Sequence, residues 1–165
     1  MITPNEALEQ LLPSYLRYYD VSNEQHGSFA ATARFYSRGE GYMLIRAAKM
    51  WEMESSEFVY FRTADTLSEE ELSACVAEAW EDAIPQVQPS ASHRNSDVTV
   101  IFLTRALNSD TRKALRRMHR SVSYRHGMHG WSNLRLGAIE LSDGTISTNR
   151  HGADLKKLLR NIHLS

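Results

Sequence analysis

Three sets of side chains in this sequence are of the types that catalysis or recognition uses. Glu52 and Glu57, with Lys49 nearby, offer hard oxygen ligands for Mg²⁺ and a cation to sit against a phosphate. Arg112, Lys113, Arg116, Arg117 and Arg120 crowd one short stretch, and cations in such a row neutralise phosphates and give salt-dependent nucleic-acid binding. His126 and His129 stand three apart, a spacing that can contribute two imidazoles to a metal site, with His93, His119 or His151 to complete it. Each set also has a plainer explanation. The acidic residues suit the solvated end of a hairpin. The basic row suits a solvated helix face, or one paired with acidic residues of the same chain or of a second copy. Gly127 and Gly130 suit a tight bend around His129, with Trp131 anchored in the core. Cys75 lies on an apolar helical stripe and reads as a small core residue. No Gly-x-Ser-x-Gly elbow and no glycine-rich phosphate loop occurs.

The elements that must position these residues follow from periodicity. Thr3, Pro4 and Glu6 predict a capped helix start, followed by Leu8, Leu11, Leu12, Tyr15, Leu16 and Tyr19 at helical spacing. Pro13 predicts a kink or break in that helix. Residues 20–28 read as a polar loop. Alternation from Ala31 predicts a strand, Gly39 and Gly41 a turn, residues 42–53 a second strand and residues 58–61 a third, together an antiparallel meander. Ser68 with Glu71 forms a capping box ahead of the stripe Leu72, Cys75, Val76, Ala79, Trp80 and Ala83. Residues 85–96 read as a loop and 98–103 as a strand covered on both faces. Ser109 opens a short helix to about His119. Val122 and Tyr124 suggest a strand, residues 131–141 another, turned at Ser142, Asp143 and Gly144, and Asn149 opens a last helix.

Composition narrows the class. With 165 residues the chain suits one domain, taken as 1–165. Apolar residues make up 42% and charged residues 24%, which excludes a disordered chain. No run approaches the roughly 20 apolar residues of a membrane span. The opening residues carry no cationic segment and no apolar run, so no secretory signal is expected, and the single cysteine suits a reducing cytoplasm. The net charge of −1 hides an asymmetry: residues 1–90 hold 6 basic and 15 acidic side chains, and residues 91–165 hold 13 basic and 5 acidic. Such a split can mark an anionic partner for the basic part. Alternatively the two parts neutralise each other in the fold, or an acidic face meets a basic one in a homodimer.

Helix, three strands, helix, strand is the element order of restriction-endonuclease-like folds, which it resembles over roughly residues 4–104. That resemblance implies a divalent metal held by an acidic residue on the second strand and an acid-x-lysine on the third. The third strand offers Glu57, but Val59 stands two residues later, and no acid-x-lysine occurs on either strand. A second resemblance rests on short motifs: Tyr18-Tyr19-Asp20, Ala48-Lys49, His129-Gly130-Trp131, Leu134-Arg135-Leu136, Leu141-Ser142-Asp143-Gly144 and Thr148-Asn149-Arg150. In this order they resemble an uncharacterised family of small proteins from anaerobic Gram-positive bacteria with no assigned function. The resemblance implies a bacterial cytoplasmic protein and no particular reaction. The expectation is an α/β-type (α+β) domain with a mixed sheet flanked by helices. It is expected to bind another macromolecule without catalysis or cofactor, nucleic acid being one such partner. A metal-dependent nuclease using Lys49, Glu52 and Glu57 with Mg²⁺ is the alternative.

Overall fold

A computed structural model describes residues 1–37, 54–91 and 93–165. Its centre is three parallel strands, β3 (Glu54–Ala64), β4 (His93–Thr104) and β6 (Trp131–Glu140), whose residues alternate between two faces after a register irregularity at Glu54/Ser55, opposite His93 and Asn95. On one face Phe58, Tyr60, Val98, Val100, Phe102, Leu134 and Leu136 meet α2 (Glu69–Ala83) and α3 (Ser109–Arg117). On the other, Val59, Phe61, Ile101, Leu103 and Ile139 meet α1 (Pro4–Leu11) and α4 (Leu155–Leu159). Both faces must be apolar because helices cover both, which is why residues 98–103 read as a continuous apolar run. The result is a helix–sheet–helix sandwich of three layers, with two apolar cores separated by the sheet.

Antiparallel strands finish the sheet on both sides. β1 (Asp20–Ser22) pairs with β2 (Ala31–Ser37), and β2 pairs with β3. On the far side β5 (Ser121–Ser123) and β7 (Thr145–Thr148) both pair with β6. The seven described strands run β1-β2-β3-β4-β6-β5, with β7 beside β6, so the mixed sheet and flanking helices match expectation. The meander exists with different members. The polar stretch after residue 20 supplies its first strand, and β3 runs back to Glu54. The strand expected at 42–53 lies outside the described residues.

Local chemistry explains the helix ends. Thr3 and Glu6, and again Ser68 and Glu71, form reciprocal capping boxes. Pro13 ends α1 at Leu11, and a 3₁₀ turn over Leu12–Tyr15 follows, because proline cannot supply the next helical amide. Asn108, one residue before Ser109, caps α3 by accepting the Thr111 amide, and the helix stops at Arg117. Asn149 does not open the last helix, which begins at Leu155 after a turn. Trp131 is 40% exposed rather than anchored in the core. Odd positions of β6 face α4, which packs where Gly137 abuts Leu155 and Leu159, so Trp131 at the strand's start lies beyond its cover.

Candidate functional site

The odd positions of the parallel strands change character part-way along. Towards the strand ends they are the apolar residues under α1 and α4. Towards the strand starts they become Glu57, Asp97, Thr99, Asn133 and Arg135, because the helices cover only half the face. Register sets these side by side: Glu57 pairs with Asp97, and Thr99 with Arg135. All but the fully buried Thr99 floor a cleft of about 650 Å³ that Tyr19, Arg150 and His151 wall in.

Glu57 is the hub. Its Oε1 accepts the Tyr19 hydroxyl, and its Oε2 accepts from Thr99 Oγ1 at 2.5 Å and from Arg135 Nη1. Arg135 also donates through Nη2 to Asp154 Oδ1 at 2.6 Å and through Nε to the His151 carbonyl at 3.3 Å. Both charges are mostly buried, at 14% and 13% side-chain exposure, so the pair depends on this full set of hydrogen bonds to offset desolvation. With both oxygens taken by donors, Glu57 is engaged as an ion-pair acceptor rather than presented as an open carboxylate. Burial pushes the Asp97 carboxyl above the usual carboxylate range and Glu57 adds to it, while Arg135 pulls it back. Burial and the Glu57 charge also push the Tyr15 and Tyr19 hydroxyls far above the ordinary phenol range.

The three sets of sequence candidates land in different places. Lys49 and Glu52 lie outside the described residues, and Glu57 is the hub just described. Arg112 is not part of a solvated row. Its Nε and Nη2 each reach a Glu140 oxygen at 2.9 Å, and Nη2 also donates to the Leu107 carbonyl. Glu140 is 3% exposed and also accepts the Leu107 amide, so this fork braces α3 against β6. Lys113, Arg116 and Arg117 are exposed, and Arg120 falls beyond the helix. His126 is exposed in a loop where Arg125 and His126 both take positive φ. His129 contributes its carbonyl, which accepts from His93 Nδ1 at 2.6 Å. Among the described residues, no three His, Cys, Asp or Glu side chains converge as a metal-binding group. Cys75 is buried among apolar neighbours, and burial pushes its thiol up, as befits a core residue.

A clamp joins two distant basic segments. Asn149 Nδ2 donates to the Met118 carbonyl at 3.1 Å and to the Leu134 carbonyl at 2.9 Å. Its Oδ1 accepts the amides of Leu136 and Gly152 at 2.8 and 2.9 Å. The His119 and His151 rings then meet at 5.4 Å. Residues 118–119 and 149–151 are thereby held together at the β5/β7 margin, and Arg116, Arg117 and Arg150 are exposed. Sequence reading missed this clamp, and it missed Asp97, Thr99 and Arg135 as a group. A signal was present: polar residues at every second position of otherwise apolar strands.

A family model described as a domain of unknown function (DUF8052) matches residues 3–161. No curated protein matches the chain, and no solved structure does.

Proposed function

The chain belongs to the DUF8052 family, a domain of unknown function, so its role must be sought in its own surface, and we propose that it binds nucleic acid along the β5/β7 margin. The observation that carries this reading is the strand order. β1, β2 and β3 come from the acidic part of the chain and lie on one side of the sheet, while β4 to β7 come from the basic part and lie on the other. In the sheet, strands of the acidic part thus lie on one side and strands of the basic part on the other, and Arg135 meets Glu57 and Arg105 approaches Asp65 across that divide. α3, with exposed Lys113, Arg116 and Arg117, touches β7 from one face of the sheet, and α4, with exposed Lys156 and Lys157 and Arg160 just after it, touches β7 from the other, while exposed Arg150 follows β7 in the chain. Cations so arranged suit a phosphate backbone, which needs charge and reach rather than a shaped pocket. No metal or cofactor enters this reading. A cytoplasmic bacterial setting is part of the proposal.

Binding of a fluorescent DNA duplex and of single-stranded RNA, each over a salt series, tests it. Affinity is expected to fall linearly on a log–log plot against salt, by about 0.9 of a power per phosphate contact on duplex DNA. Arg116→Glu with Arg117→Glu should flatten that slope and weaken binding to both probes. Absence of binding at low salt, or a double variant that binds as the parent does, overturns the proposal. Sedimentation under the same conditions would reveal a second copy of the chain on this margin instead.

A further inference from the structure

On the opposite face from Glu57, the even positions at the strand starts carry hydroxyls. Ser56 and Ser96 are register partners on β3 and β4, and their Oγ atoms lie 2.5 Å apart. Ser96 Oγ is 2.8 Å from His93 Nε2, and His93 Nδ1 is 2.6 Å from the His129 carbonyl. The direction of every proton in this chain follows from one atom. A carbonyl cannot donate, so Nδ1 carries the hydrogen, and in the neutral ring Nε2 is an acceptor. Ser96 must then donate to His93. Ser96 has spent its only proton, so Ser56 must donate to Ser96. Ser56 is the open end of the relay, with its own lone pairs unused by it.

Exposure agrees with that order. Ser96 is 1% exposed, whereas Ser56 and His93 each keep 7%, and all three border a cavity of about 370 Å³. Arg34, Asp20 and Gln88 line the same cavity, so among the described residues a guanidinium borders it. The Tyr124 ring stands edge-on to His93 at 5.7 Å and fixes its plane from the β5 side. Gly130 sits where a Cβ would lie 2.5 Å from His93 Nδ1 and 2.4 Å from the Arg94 carbonyl. The backbone thus leaves room for the ring in this one pose.

From this geometry we infer that Ser56 is a nucleophile, and that the cavity is a site for acyl transfer from a small carboxylic ester to water. In the first half, Ser56 Oγ bonds to the acyl carbon as its proton passes to Ser96 and the Ser96 proton passes to His93 Nε2. The tetrahedral oxyanion faces Arg34. On collapse the C–O bond to the alkoxide breaks, and the alkoxide leaves as an alcohol with a proton returned along the chain. In the second half, water adds to the acyl carbon and gives up its proton by the same route. The acid departs, and Ser56 recovers its hydrogen. No electron is transferred, and water is the only co-reactant. Ser56 is the catalytic residue, and Ser96 and His93 are the groups that position and receive its proton.

The probe is 4-nitrophenyl acetate. We expect nitrophenol release with one acetyl group found on the Ser56 peptide by mass spectrometry of the native protein. Ser56→Ala should abolish both, and His93→Gln should slow release by about 100-fold. The loss in His93→Gln should fall on kcat, with the KM for the ester unchanged. Such a split is not something a purely structural histidine would cause. An acetyl group found elsewhere, release unchanged in Ser56→Ala, or no release above buffer would each overturn the inference. The peptide map of the parent protein decides even if a variant fails to fold.

Discussion

Arg135 and Glu57 show what a buried charge demands of its neighbours. Removing one member strands the other where water cannot reach it. Arg135→Met is expected to cost about 3–5 kcal/mol in urea unfolding, and Glu57→Leu in the same chain should recover part of that loss. Asp97 makes the opposite prediction. Its folded carboxyl holds a proton more tightly than in the unfolded chain, so stability falls as pH rises from the usual carboxylate range through its raised value. Asp97→Asn should therefore raise the melting temperature at pH 7, and the gain should shrink as pH drops towards about 4. Such roles are only half visible in sequence. Leu134-Arg135-Leu136 announces a charge inside a strand, but not the partner on β3 that makes the charge tolerable. Arg112 deceived for the same reason, since its spacing matched a solvated row while a buried carboxylate 28 positions away claimed it.

At the level of elements, Asn149 does the work that sequence assigned to a helix cap. It satisfies two amides and two carbonyls from three separate segments. Asn149→Ala should cost about 1–3 kcal/mol for each buried group left unpaired, measured by thermal melting. The same variant should weaken nucleic-acid binding, because Arg116 and Arg117 would no longer be tied to Arg150. The helices capped by Thr3 and Ser68, and the break at Pro13, were legible because a cap acts within three residues. β1 was not legible. Asp20, Val21 and Ser22 have little strand character, and pairing with β2 alone makes them one. The last helix was misplaced because asparagine caps helices and bridges loops with the same atoms, and only the tertiary partners decide between them.

For the whole molecule, the sheet turns sequence order into geography, with strands of the acidic part on one side and strands of the basic part on the other. Stability at high pH is a collective property of the same sheet. Tyr15, Tyr19 and Tyr60 all keep their protons past the ordinary phenol range, chiefly through burial, with Glu57 or Asp82 adding to it. Unfolding releases those protons, so stability should drop as pH passes about 10, seen as a falling urea midpoint. Tyr60→Phe should soften that fall, at the loss of its 2.6 Å bond to Asp82.

The layer formed by α1 and α4 draws on residues 7–11 and residues 155–162 for a single apolar core. On a ribosome delivering roughly 5–20 residues per second, the α2/α3 side gathers its strands first. Meanwhile α1 waits with Ala7, Leu8 and Leu11 uncovered by α4 for several seconds, long enough for a chaperone to find them. Emergence of α4 from the exit tunnel is then the event that closes this layer.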